Sequence, residues 1–405
     1  MDVLFLSPGY PPEMPNYVRG LAQVGARVWG VGDSHRDALP VITRRALTGY
    51  LQVPRIMDED DVIRRVKAWL GDRVPDRIEA QWEPLVILAA KLRETLGVPG
   101  MSVDTVMGFR DKQLMKERIA AAGLRVPYSA RVRSADEARA AAERFGFPLI
   151  VKPISGAGSA DTYRVDDDAE LERVLKLTQH VAEVSVEEFV EGEEFTYDTV
   201  CIDGQPAYEN VAQYLPRPLV ARSHEWISPI ICTVRHLDQA PLRPGIALGR
   251  KVLKALNMGT GFTHMEWYRK ADGEVVFGEI GCRPGGAHLV DQMNFTSDID
   301  LFREWARAVC WKSFEADTRR RYNAAIVFKR AKGEGTIVAR EGLEAFHRRF
   351  GPAIVWDNLL PVGARRRNWK QTLVSDGFLL VRHPDWATAL KIAESAAEDV
   401  TLYAR

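Results

Sequence analysis

None of the four cysteines (Cys201, Cys232, Cys282, Cys310) stands in a CxxC spacing. That removes the usual grounds for a zinc site or a disulfide framework and makes a reducing compartment the expected one. Excess charge is missing as well: Lys+Arg 55 balance Asp+Glu 55. No global basic field draws the chain to nucleic acid or to an anionic membrane. There is no long apolar run, and the N-terminus enters an apolar strand at residues 3–6 without a charged leader. Neither a signal peptide nor a membrane span is expected, and a cytoplasmic location follows. Internal repeats and low-complexity segments are absent. Ser7-Pro8-Gly9 after the first strand is not a GxGxxG turn, so no dinucleotide site is assigned there.

What is present is an ordinary globular profile, 46% hydrophobic and 27% charged over 405 residues, enough chain for two to three domains. Residues 1–106 alternate strands and helices. A strand at 2–6 precedes a helix at 17–24 closed by Gly25, and a second strand follows at 27–31. Helical spacing recurs at 60–70 and at 84–96, the latter with Pro84 at its start and Gly97 after its end. This βαβ rhythm predicts a small parallel sheet.

Residues 109–123 predict a helix with Asp111 as N-cap and Lys112 in its first turn. A cation there opposes the helix dipole unless it serves an anion bound nearby. Ser134 and Glu137 fit a capping box, which is structural. The apolar strand 148–153 carries Lys152 near its end and runs into Ser155-Gly156-Ala157-Gly158-Ser159. A lysine in a buried strand needs a partner, and small residues let backbone N–H groups approach a phosphate. A flexible hairpin loop with a snorkelling lysine fits the same residues. It is not a P-loop, which needs GxxxxGK[ST] opening a helix. The strand 184–190 leads into Glu187, Glu188, Glu193 and Glu194 around Gly192. Such carboxylates suit either a ribose and an adenine amino group or an acidic, solvent-facing edge strand.

Residues 262–269 and 274–280 read as two strands joined at Asp272-Gly273, a strong hairpin signal. A two-residue turn sets Glu266 opposite Glu279, His264 opposite Gly281 and Tyr268 opposite Phe277. Like charges directly opposed, with Cβ atoms about 5 Å apart, destabilise the pair. A hard cation would remove the repulsion; glutamates splayed into water would also do so.

In order and spacing, five stretches together resemble the ATP-grasp superfamily. They are Asp111-Lys112-x-x-Met115-Lys116, the 148–153 strand, the 155–159 loop, Val186-Glu187-Glu188-Phe189-Val190-x-Gly192-x-Glu194, and Glu266…Glu279-x-x-x-Arg283. His264-x-Glu266 and Arg283-Pro284-Gly285-Gly286 are similar to its amino-acid and dipeptide ligase branch, within the carboxylate–amine ligases. The resemblance implies a mixed α/β fold in three parts: a Rossmann-like unit at 1–106, the grasp domain at 107–315 with its small lobe at about 125–190, and a lid-like αβ unit at 320–405. It implies ATP and Mg²⁺ (or Mn²⁺) as cofactors, and small carboxylate and amine substrates. A homodimer is common in that family.

Lys112 and Lys152 would contact phosphates, under a loop formed by Ser155, Gly156, Gly158 and Ser159. Glu187, Glu188 and Val190 would meet adenine, and Glu194 the ribose. Glu266 and Glu279 would hold the metal. Arg283 would stabilise the transferring phosphoryl group, and His264 would orient substrate or phosphate. Related enzymes using bicarbonate, and a nucleotide-binding protein with little catalysis, remain alternatives. Gly281 motivates the latter, because the family often has a metal-binding Asn there. The family also places a substrate-covering loop at residues 205–243, which makes Arg222, His224 and Trp226 candidates for substrate recognition.

Further on, a helix at 298–311 is expected to bury Trp305 and Trp311. The basic runs at 319–321 and 365–367 read as linker and solvated loop.

Overall fold

The computed structural model describes residues 1–154 and 162–405. Ser155, Gly156, Gly158 and Ser159 therefore lie outside the described residues.

Residues 1–106 form the expected parallel sheet. Its strand order is Leu47–Gln52, Arg27–Gly32, Asp2–Leu6, Arg77–Glu79. Helices Met14–Gln23, Glu59–Leu70 and Val86–Leu96 accompany these strands. Local chemistry sets the ends of the elements. The Asp58 side chain accepts from the Asp61 amide at 3.3 Å, and Gly97 takes a left-handed φ of 67° to end the third helix.

A second, antiparallel sheet is ordered Ser129–Val132, Val184–Glu188, Leu149–Pro153, Tyr163–Val165. Helices Ala135–Phe145 and Asp168–Thr178 share its core, which contains Val151, Leu171 and Val186. The small size of this lobe leaves one face of its strands available to a cleft.

The largest sheet is antiparallel and eight-stranded. Its order is Val275–Gly281, Gly261–Arg269, Glu193–Ile202, Gln205–Leu215, Ile230–Thr233, Asn323–Phe328, Phe378–His383, Ile354–Asp357. The last three strands come from the C-terminal segment. The chain division near residue 320 is thus not a division of the sheet. Only a three-stranded sheet, Lys332–Gly333, Thr401–Ala404 and Ile337–Glu341, belongs to that segment alone.

Helix Arg243–Ala255 packs beneath the large sheet through two glycines. A Cβ on Gly245 would lie 2.3 Å from the Trp267 ring, and one on Gly249 2.3 Å from Tyr197. These close approaches let the helix lie directly against buried aromatic faces.

Several sequence expectations are corrected. The 262–281 hairpin turns through one residue more than a two-residue loop, since the Lys270 amide donates to the Glu274 carbonyl. Tyr268 consequently faces Val276 rather than Phe277. A bulge at Gly278 then restores the register, so Glu266 still faces Glu279 and His264 still faces Gly281. The first part of 205–243 is not irregular but the eleven-residue strand Gln205–Leu215. Helix Leu289–Ser297 precedes Leu301–Trp311 and was not anticipated. Trp305 is fully buried, whereas Trp311 is 48% exposed and donates its indole N–H to the Val24 carbonyl. In the 365–367 run Arg365 and Arg367 are exposed, as expected of a solvated loop, but the Arg366 side chain is buried among Glu225, Glu334 and Asp376.

Candidate active site

The small lobe, the large sheet and the N-terminal unit enclose a cavity of about 620 Å³. Its walls bring together residues from distant stretches of the chain. Helix Lys112–Ala121 begins at its edge, where the Asp111 carboxylate caps the Gln113 and Leu114 amides at 3.0 Å each. The cap fixes the first turn, and with it the buried Lys112, whose Nζ lies 2.9 Å from Glu279 Oε1. Lys116, one turn on, shares that face of the helix. It is ion-paired to Glu187, which also takes Lys152 Nζ at 2.9 Å and the Ser185 hydroxyl at 2.7 Å.

These charges shift one another. Burial works against the Glu187 carboxylate, but Lys116 and Lys152 overcome it and hold its pKa far below the usual range. Burial dominates at Lys116 and brings it down to about 8. At Lys152 burial pulls downward, and the charges of Glu187 and Glu279 prevail to leave it raised. Glu279 is lowered, because Lys112 and Lys152 outweigh its burial.

The hairpin supplies the opposing wall. Glu266 accepts from the Tyr214 hydroxyl at 3.0 Å and stands cross-strand from Glu279. His264 Nδ1 sits 2.5 Å from the Asp198 carboxylate, and its Nε2 lies 3.8 Å from Glu266. Burial disfavours the imidazolium, yet Asp198 raises the His264 pKa overall. On the strand beside it, Glu194 is pushed up to about 7 by burial and by the Glu266 charge, although Arg217 Nε lies 3.1 Å away. Arg217 also donates to the Val190 carbonyl at 2.9 Å. Glu188 accepts from Arg125 at 2.7 Å and from the Tyr128 amide at 3.1 Å.

Beside Gly281, where a metal-binding side chain was sought, the structure places another carboxylate. A Cβ there would lie 3.3 Å from Glu83 Oε2. Glu83 is ion-paired to both Arg283 and Arg110. A side chain at Gly281 would therefore press on the Glu83 carboxylate and stand beside the Arg283 side chain.

Every described residue to which the resemblance gives a nucleotide, metal, phosphoryl or substrate-orienting role lines this cavity, namely Lys112, Lys152, Glu187, Glu188, Val190, Glu194, His264, Glu266, Glu279 and Arg283. Sequence reasoning missed roles for Glu83, Lys116, Asp198 and Tyr214. Lys116 was legible, since it stands four residues from Lys112 on a predicted helix. Asp198 is the cross-strand neighbour of His264, a non-local pairing that no local pattern announces. Of the loop candidates, Arg222 lines the cavity, while Trp226 is 76% exposed.

The ATP-grasp domain family matches residues 117–289. An L-arginine-specific L-amino acid ligase of Bacillus subtilis is 26% identical over 234 residues, 56% of this chain and 56% of the relative. An alanine–anticapsin ligase of Bacillus subtilis is 26% identical over 285 residues, 64% of this chain and 59% of that one. The matched part of the chain thus spans little more than half the length of these curated relatives. A crystal structure of L-amino acid ligase from Bacillus licheniformis shares the fold with a TM-score of 0.81 and 19% identity, over 100% of this chain and 98% of that one. Residues 117–289 thus match the ATP-grasp domain, and the whole chain shares the fold of an L-amino acid ligase.

Proposed function

We propose that the protein is an ATP- and Mg²⁺- (or Mn²⁺-) dependent ligase that joins a small carboxylate to an amine, an amino acid or small peptide. The observation that carries this reading is one cavity holding two lysines, the buried Lys112 and the partly buried Lys152, against two cross-strand carboxylates, Glu266 and Glu279. Lysines suit phosphate oxygens, and the carboxylates suit a hard divalent cation. Among the described residues no three His, Cys, Asp or Glu side chains gather as a metal cluster. Two carboxylates completed by phosphate oxygens and water is the usual manner of holding Mg²⁺ beside a nucleotide. The ion supplies charge neutralisation at the phosphates.

In this reading residues 1–106 and 320–405 flank a grasp domain at 107–315. The nucleotide lies between the lobes, with Glu187, Glu188 and Val190 on the adenine side and Glu194 at the ribose. The substrate carboxylate attacks the γ-phosphorus and ADP departs, leaving an acyl phosphate. Arg283 stabilises the negative charge on the transferring group. The amine then attacks the acyl carbon, phosphate leaves, the amine gives up a proton and an amide remains. His264, held by Asp198, orients the substrate. The working location in this reading is the cytoplasm, and the partners are small molecules rather than nucleic acid or membrane.

Phosphate release from ATP, with Mg²⁺, carboxylates and a panel of amines, tests the reading. Amine-dependent release with an amide detected by mass spectrometry supports it. Nucleotide binding without turnover for any amine overturns it.

A further inference from the structure

One end of the cavity carries positive charge that the protein itself does not balance. Arg222, on helix Pro218–Ser223, and Arg330, just beyond strand Asn323–Phe328, both line it together with Lys370. Arg330 stacks over the Trp369 ring at 4.4 Å and donates through Nη1 to the carbonyls of Ala221 and His224 at 2.7 and 2.8 Å. Its Nε is buried with no hydrogen-bond partner. Arg222 donates to the Lys370 carbonyl at 3.0 Å. Carbonyl oxygens satisfy donors but do not neutralise a cation.

The other arginines on the cavity are treated differently. Arg217 is paired with Glu194 and Arg283 with Glu83. Among the described residues, no carboxylate lies within ion-pair distance of Arg222, Arg330 or Lys370. The two guanidiniums also act on each other: burial, and then the Arg222 charge, brings Arg330 down to about 10. Half-buried charges that repel and lack a counter-ion are costly to hold in a fold. A planar guanidinium that lines a cavity without a carboxylate partner is suited to a ligand's carboxylate or phosphate.

We infer that Arg222, Arg330 and Lys370 form a subsite for an anionic group of a substrate, carboxylate or phosphate, that is not itself the group activated. This rests on the ligase reading for the identity of the cavity, and it narrows the substrates to those with an additional negative charge. The stacking on Trp369 holds the Arg330 plane in place, so the subsite is formed before the ligand arrives.

The test is calorimetric titration of the full chain loaded with Mg²⁺ and ADP, which needs no turnover. Three pairs of probes separate the sources of the anion. L-glutamate against L-glutamine reports a side-chain carboxylate, O-phosphoserine against serine a phosphate, and glutamine against its α-amide a backbone carboxylate. In at least one pair the anionic member is expected to bind about tenfold or more tightly. Arg330→Gln should erase that preference, and Arg222→Gln, at a less buried position, should weaken it, with far-UV circular dichroism unchanged. Equal binding within all three pairs, no binding of any anionic probe, or a preference that survives in both variants overturns the inference. Failure of the ligase reading is distinguishable: it shows as an anion preference without amide formation. Failure of the subsite shows as amide formation from uncharged substrates that Arg330→Gln leaves intact.

Discussion

Glu83 and Arg283, separated by 200 residues of sequence, are ion-paired beside Gly281. The pair ties the N-terminal unit to the end of the 262–281 hairpin. It also holds the guanidinium that the proposed chemistry needs. Burial opposes the Glu83 carboxylate, but Arg283 and Arg110 together lower its pKa. Glu83→Ala should therefore cost both stability and turnover, since breaking a largely buried pair costs about 3–5 kcal/mol. Glu83→Gln should retain more of the fold and still lose turnover. Thermal melts and phosphate release on the two variants check this; wild-type turnover in either would remove Glu83 from the account.

The Lys116–Glu187–Lys152 cluster predicts a pH dependence. The Glu187 pKa is strongly depressed in the folded chain, so the unfolded chain binds its proton first as pH falls. Its contribution to stability is complete above the ordinary carboxylate pKa and is lost as pH drops towards the folded value. Glu187→Gln should remove this acid-side slope and leave two lysines uncompensated. Nucleotide affinity and denaturant midpoint at neutral pH should both fall. A midpoint that does not move would contradict the assignment.

Glu79 runs the other way. On the strand Arg77–Glu79 burial raises its pKa to about 7, against the lowering influence of Arg93, Arg77 and Lys312. Between the ordinary carboxylate range and pH 7 the folded chain binds the extra proton, so stability falls as pH rises through that window. Glu79→Gln, which mimics the protonated form, should stabilise the protein at pH 8 by roughly 1–3 kcal/mol. At pH 5 it should do little. Urea midpoints at the two pH values decide it.

Much of the site was readable because its chemistry is carried by short local patterns. The Asp111 cap places Lys112, the 149–153 strand places Lys152, and the hairpin places Glu266 opposite Glu279. The hairpin pairing came out right through two compensating features, a longer turn and the Gly278 bulge, neither of which leaves a mark in apolar alternation. What stayed hidden depends on distant partners. Glu83 meets Arg283, Asp198 meets His264, and Arg366 is buried by Glu225 and Asp376 only once the tertiary structure forms. Arg366 looks solvated in sequence because its counter-charges lie elsewhere in the chain.

Packing gives a prediction free of any functional assumption. A methyl group at Gly245 would enter the Trp267 ring, with 2.3 Å available. Overpacking of this kind costs about 1–3 kcal/mol. Gly245→Ala should lower the melting temperature and disturb the near-UV signal of Trp267, which is buried on strand Gly261–Arg269 of the hairpin. An unchanged melt would mean that the helix shifts freely away from the sheet.

The central claim is that Glu266 and Glu279 face each other to hold a cation at the phosphates of ATP, in an enzyme that forms an amide. Its most direct test is to follow ADP, phosphate and amide together, with and without Mg²⁺, in the wild-type protein and in Glu279→Gln. The account predicts Mg²⁺-dependent formation of all three in equal amounts by the wild type, and near-complete loss in the variant with its fold intact. Undiminished turnover in Glu279→Gln, or ATP hydrolysis by the wild type with no amide from any amine, would contradict it.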